Sequence, residues 1–331
     1  EDWGRTWRAI GGNIPADDFT RTIRADPQCP GLLFAGTEIG IYVSFDDGGS
    51  WERLRGNFPV TPVHDLVIQG SDLLVATHGR SFWILDDLTP LREVARLQAA
   101  GGDEATLLFP PRPWVRYRQY EGYGYPPNPG GISYHFAGTF VAAFRQEKRP
   151  TGQTVEHLLN AGKNPPDGAI ITYHLAAAPQ DLTLRFLDAR GQEVKSFTKK
   201  PAEPGDDKGP WVPAEVGTNR FVWNGRYADA RKLRGDAKAG PFAGGDDAGP
   251  VAAPGHYTVE LTVDGATLRA PLEIVKDPTV AATQAELDEQ FRLLLAIRDK
   301  LSETHDAING LRAIREQVDG WRERTRERPD A

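Results

Sequence analysis

The sequence has one cysteine, no methionine and no long apolar run. A single Cys29 excludes an internal disulfide and a zinc site built from several cysteines, and its place in the loop Asp26-Pro27-Gln28-Cys29-Pro30-Gly31 makes it a bystander. Without an apolar stretch of about 18 residues the chain has no transmembrane helix. Positive charge is not in surplus. With 39 Lys+Arg against 46 Asp+Glu the net charge is −7, so nothing draws the chain generally to nucleic acid or anionic membrane. No cofactor and no metal is expected from any motif. A secretory leader is not visible, and the chain opens at Glu1 inside a motif, so its natural start is expected further upstream. Glycine (35) and proline (26) are plentiful in the 331 residues, which favours short strands joined by many turns. The length suits two or three domains.

Internal repetition comes next. Ser44-Phe45-Asp46-Asp47-Gly48-Gly49-Ser50-Trp51 reads S-x-D-x-G-x-S-W, and Asp2-Trp3-Gly4-Arg5-Thr6-Trp7 reads D-x-G-x-T-W. Asp2 falls on Asp46, Gly4 on Gly48, Thr6 on Ser50 and Trp7 on Trp51, a spacing of 44 residues. Similarity continues in Asn13-Ile14-Pro15 with Asn57-Phe58-Pro59, and in Leu33–Thr37 with Leu74–Thr77. This period suits a four-stranded β-propeller blade. The motif is the Asp-box. Its aspartate accepts hydrogen bonds from the turn, glycine gives a permissive backbone, the hydroxyl closes the turn and tryptophan packs between blades. Asp2, Gly4, Thr6, Trp7, Ser44, Asp46, Gly48, Ser50 and Trp51 are therefore read as structural. Two four-stranded blades over residues 5–88 cannot close a ring, so the missing blades are expected N-terminal to Glu1.

Antiparallel meanders place alternate turns on one rim. In the second blade, strands near Val63–Gln69, Leu73–Thr77 and Ser81–Leu85 put His64 and Asp65 beside His78, Gly79 and Arg80. The first blade offers Asp17, Asp18, Phe19, Thr37 and Glu38 at matching places. Glu38, His64, Asp65, His78 and Arg80 are the candidate ligand-binding residues: carboxylate pairs perform glycosidic acid–base chemistry and arginine grips carboxylates. Equally, such residues cap strand ends. Ser81, His78 and Asp86 form no nucleophile elbow, and no catalytic residue is assigned.

The expected organisation is mainly β. Residues 1–90 form the last two propeller blades. Residues 91–158 form an irregular linker with isolated strands at Leu107-Leu108 and Trp114–Tyr117, and Tyr120–Pro127 either stacks on sugar rings or packs a loop. Residues 159–278 form an immunoglobulin-like or fibronectin-type β-sandwich, with period-two strands at Ala169–Leu175, Leu182–Asp188, Glu193–Thr198, Asn219–Tyr227, Gly255–Val263 and Thr267–Lys276. Its Gly/Asp/Ala-rich insertion at 228–250 reads as a mobile loop. Residues 279–331 form a long helix or helical hairpin, opened by the capping box Thr283–Glu286 and broken near Gly310. Its stripe Leu287, Phe291, Leu294, Arg298, Leu301, His305, Ile308, Leu311, Ile314, Val318, Trp321 needs a partner: a return helix, the sandwich or a second subunit. His305 reads as packed or partly solvated.

Asp72–Asp87, Asn164–Ala169, Phe221–Asn224 and Pro254–Val259 carry a resemblance. The chain resembles the C-terminal part of large bacterial Asp-box (BNR) repeat proteins labelled glycosyl hydrolases, similar to sortilin-type propellers and xyloglucanases. The sandwich is similar to that of flagellar hook-capping proteins. Nearly the whole chain except 119–157 is covered. The resemblance implies an extracytoplasmic protein, periplasmic or secreted. It supplies no acid or base, because the xyloglucanase motifs that carry them have no match. The expected function is binding of a glycan or polypeptide ligand, with sandwich and helix as assembly modules and a homo-oligomer formed through the helix. The alternative is a glycoside hydrolase with its cleft across the complete propeller.

Overall fold

The computed structural model describes residues 3–101, 105–117, 123–124, 131–137, 140–148, 154–159, 165–203, 209–234 and 248–326. Asp2, Asn164, all but two positions of 120–127 and most of the insertion at 228–250 lie outside the described residues. The described residues are mainly β, with five sheets, one short helix and one long C-terminal helix.

The first sheet is an antiparallel meander of β1 (Thr20–Ala25), β2 (Leu33–Thr37), β3 (Ile41–Ser44) and β4 (Glu52–Arg53). The second, β5 (Val63–Gln69), β6 (Asp72–Thr77) and β7 (Phe82–Leu85), repeats it. They share one core, in which Leu32, Phe34, Ile41 and Val43 meet Val63, Leu66, Leu73 and Val75. The approach is close at Gly36, where a Cβ would lie 2.5 Å from Val63 Cγ1.

The second sheet has three strands rather than the expected four. Where a fourth would follow β7, the chain enters helix α1 (Thr89–Ala99). Pro90 suits the first helical turn, where its missing N–H costs nothing. Leu88, Leu91, Arg92 and Ala95 then fall on one face against the shared core. The guanidinium of Arg92, buried in this face, donates to Asp26 (2.9 Å), Gln28 (3.0 Å), Ser71 (3.0 Å) and the Gly70 carbonyl (2.8 Å). Helix α1 is thereby fastened to the β1–β2 and β5–β6 turns together.

The two repeat tryptophans pack differently, contrary to expectation. Trp51 is 4% exposed and Trp7 91% exposed. Ile10 and Ile14, from the segment preceding the first sheet, pack beside Trp51, and its Nε1 donates to the Ile10 carbonyl at 2.5 Å. Trp7 donates only to Gly4 of its own turn.

The interval expected to be irregular contains more order. Besides α1 it carries β8 (Leu107–Leu108), β9 (Trp114–Arg116) and a four-stranded antiparallel sheet of β10 (Tyr123–Gly124), β11 (Ser133–Ala137), β12 (Phe140–Lys148) and β13 (Thr154–Leu158). Ala137 pairs with Phe140, leaving two residues between β11 and β12.

The next six strands are β14 (Ala169–Leu175), β15 (Leu182–Leu187), β16 (Glu193–Thr198), β17 (Gly217–Trp223), β18 (Gly255–Val263) and β19 (Ala266–Lys276). They build two sheets, β17-β14-β8 and β16-β15-β18-β19-β9, whose alternate residues face one core centred on Trp223, Phe186, Tyr173 and Leu184. Trp114 of β9 joins that core. A Cβ on Gly225 would meet its ring at 2.4 Å, and φ is +70° there, so glycine is required. Burial pushes the carboxyl of Glu260 on β18 upward, but Arg269 and Arg185 outweigh it and hold the group below its usual range.

Helix α2 (Gln284–Thr325) starts at the Thr283/Glu286 capping box and runs unbroken through Gly310. A single glycine costs a helix about 1 kcal/mol, too little to end one this long. Residues 228–234, expected to be part of a mobile loop, are laid along it. Arg298 donates to the Ala228 carbonyl, Ser302 accepts from Arg231 N, His305 Nδ1 meets the Arg231 carbonyl, and Asn309 bonds both Lys232 O and Arg234 N. Side chains of one helix face thus satisfy the backbone of that segment.

Candidate functional site

The candidate site lies between β1 and β5, the first strands of the two neighbouring sheets. Both strands are interrupted at the same place. Pairing with β2 shifts between Thr20 and Thr22, and pairing with β6 shifts between Val63 and Asp65. Arg21 and His64 are the residues left over at these irregularities, which re-aim a side chain out of the ladder. Both line an open groove of about 470 Å³, together with Thr20, Thr22, Ile23, Arg24 and Asp65.

The charges in and around this groove are paired across loops and sheets. Arg21 meets Glu38 of the β2–β3 turn at 2.5 Å, and its guanidinium lies over the Phe19 ring at 4.8 Å. Arg24 meets Asp65 at 2.5 Å, from one sheet to the next. Asp65 also accepts from the Leu66 amide at 2.9 Å. The imidazoles of His64 and His78 stack, 5.1 Å apart and inclined by 26°. The turn holding His78 is fixed by its own amide donating to Pro62 and its carbonyl accepting from Thr61.

Of the five candidates, Glu38, His64, Asp65 and His78 come together at one end of the sheets. Of these His64 and Asp65 line the groove, whereas Glu38, His78 and Arg80 do not, and Arg80 is exposed in the β6–β7 turn that it shares with His78. The first-sheet equivalents divide. Asp18 is buried and takes the Ile39 amide at 3.2 Å; burial and then the hydrogen bond of Asp18 push the Tyr42 hydroxyl upward. Thr37 is buried, while Phe19 is exposed. Arg21 and Arg24 were not singled out from the sequence. Their signal was Thr20-Arg21-Thr22-Ile23-Arg24, polar on both strand faces, the mark of a strand with no buried side.

The turn Phe45–Trp51 lies at the opposite end of the first sheet, where the Asp47 amide donates to Gly31 of the β1–β2 turn at 2.9 Å. Asp46 accepts from Ser50 N, Ser50 Oγ and Ser44 Oγ, each at 2.8 Å. Gly48 donates to Ser44 Oγ at 2.8 Å with φ of +82°, and a Cβ there would strike Ile10 at 2.8 Å. The hydrogen bonds from the Ser50 backbone and hydroxyl hold the Asp46 carboxyl below its ordinary value. A depressed carboxylate stabilises the fold above its unfolded pKa, and that contribution is lost as pH falls through the folded value. Asp46→Ala should therefore cost about 1–2 kcal/mol at neutral pH and less in acid. Urea unfolding across the acid range checks this, and an equal cost at every pH would contradict it.

Among the described residues no group of three or more His, Cys, Asp or Glu side chains is placed to hold a metal, and no helix is long and apolar enough to cross a membrane. No protein-family model and no curated protein matches the sequence. Among solved structures, the chain is similar to the extracellular domain of a candidate one-component system from B. thetaiotaomicron, at 9% identity and a TM-score of 0.18. That alignment covers 81% of this chain and 26% of the other, so the chain spans about a quarter of that structure. So slight a likeness carries no functional inference.

Proposed function

We propose that the first two sheets are neighbouring blades of a β-propeller completed by blades preceding Glu1, and that the ring binds a glycan or polypeptide ligand outside the cytoplasm. In this reading β1 and β5 are the innermost strands and the groove is part of the central channel wall. The facing sheets of residues 169–276 are an immunoglobulin-like sandwich that, with α2, serves assembly. One observation carries the binding role: the repeated irregularity that turns Arg21 and His64 into the same groove. Irregularities of this kind re-aim side chains and gather beside binding and active sites, which is what supports reading the groove as a binding wall. The carboxylate lining the groove, Asp65, and Glu38 beside it are each engaged by arginine. That arrangement favours holding a ligand over donating a proton, so binding is preferred to glycoside hydrolysis.

Glycan and acidic-peptide arrays test this on the whole chain. Arg24→Ala and His64→Ala should each weaken the strongest array signal about tenfold or more, one charged or aromatic contact being worth a factor of that order. Asp47→Ala, on the Asp-box rim, should bind as the parent does. Unchanged binding by both groove variants with loss in Asp47→Ala would place the ligand on the other rim.

A further inference from the structure

Helix α2 has two seams, and among the described residues one of them is docked within the chain. The first runs through Arg298, Ser302, His305 and Asn309 against residues 228–234. The second lies about 200° round the helix, two residues on from the first at 100° per residue. It is an unbroken 4-3 row: Leu293, Ile297, Lys300, Thr304, Ala307, Leu311, Ile314, Val318, Trp321 and Thr325. Every residue of it is exposed, including Leu311 at 67%, Ile314 at 59% and Trp321 at 64%. The row expected from the sequence mixed the two seams, because the pattern Leu287–Ile308 belongs to the docked face and Leu311–Trp321 to the open one.

The geometry points to a second copy of this chain as the occupant, its α2 lying antiparallel across the open seam with the two-fold axis between Leu311 and Ile314. The row is self-complementary about that axis, as an isologous contact demands. Leu311 then meets Ile314 of the second copy at the centre, and on either side of it Ala307 meets Val318 and Thr304 meets Trp321, a smaller residue opposite a larger one. Lys300 falls opposite Thr325, and Glu303 comes level with the arginines 322 and 324 of the second copy. A parallel pair would instead stack Trp321 on Trp321 and Lys300 on Lys300, with Arg315 and Arg322 flanked by the uncharged Gly310 and Gln317. From Lys300 to Thr325 the overlap is roughly seven turns, enough for an independent seam.

Sedimentation velocity on the whole chain should give twice the chain mass at micromolar concentration. Ile314→Glu, an exposed position that the fold does not need, should give the single-chain mass with an unchanged melting profile. Under mild oxidation A307C mixed with V318C should cross-link, while either variant alone should not; Cys29 is buried and silent. A single-chain mass for the parent would overturn the proposal, as would a dimer surviving Ile314→Glu. Cross-linking of A307C alone would overturn the antiparallel arrangement.

Discussion

Replacing Arg92 by methionine should lower the stability of the first two sheets by about 3–5 kcal/mol, the usual consequence of leaving one member of a buried ion pair alone. The side chains of Arg92 and Asp26 are 5% and 0% exposed. Asp26 would keep only the Gln28 amide, at 2.8 Å, as a partner. The loss reaches further than one pair, because the same guanidinium ties the turns at Gln28 and at Gly70-Ser71 to α1. Removing both charges, as Arg92→Met with Asp26→Leu, should recover a large part of the loss, since an apolar pair of similar volume often equals a buried ion pair. Urea unfolding followed by hydrogen exchange of the β6 amides measures this. A loss under about 1 kcal/mol for Arg92→Met would show that α1 rests on its apolar face alone.

The second large effect is expected at Trp223. Its side chain is fully buried, stacked on Phe186 at 4.1 Å and edge-on to Tyr257 at 6.2 Å, and its Nε1 donates to the Arg226 carbonyl at 3.1 Å. Trp223→Ala empties the middle of the core between the two facing sheets and should cost about 3–5 kcal/mol. The cores around Trp223 and around Leu66 have no residue in common. The two substitutions should therefore move different parts of the unfolding profile, Arg92→Met the part reported by β6 and Trp223→Ala the part reported by β14 and β18. A common shift of both would mean that the sheets unfold as one unit.

What could be read in the sequence, and what could not, follows from the range of the interactions involved. Strand β14 was legible to the residue because it buries one face and so alternates without exception, at Ala169, Ile171, Tyr173 and Leu175, whereas β16 and β18, whose alternation breaks at Ser196 and Glu260, were legible from the turns that bound them. Glu38, His64, Asp65 and His78 were legible as a group because a meander leaves their turns no other end to occupy. Helix α1 was not, since the residue at the centre of its buried face is an arginine whose partners lie 66, 64 and 21 residues away. Arg24 was missed for the same reason: it looks like an exposed strand residue until Asp65, 41 positions on, is brought beside it. Trp7 shows the converse. Its local motif repeats that of Trp51, but burial of the ring depends on a preceding segment, which a motif does not encode.

The short strands β8 and β9 change how the chain divides. One extends the sheet at β14, antiparallel, and the other extends the opposite sheet at β19, parallel. Their connection through Pro110, Pro111 and Pro113 therefore passes from one layer to the other. The unit built round Trp223 is consequently discontinuous. It begins at Leu107, gives way to the inserted meander of β10–β13, and resumes at Ala169. Cutting the chain at residue 159 would strip an outer strand from each layer and leave the hollow beside Gly225 without the indole that fills it.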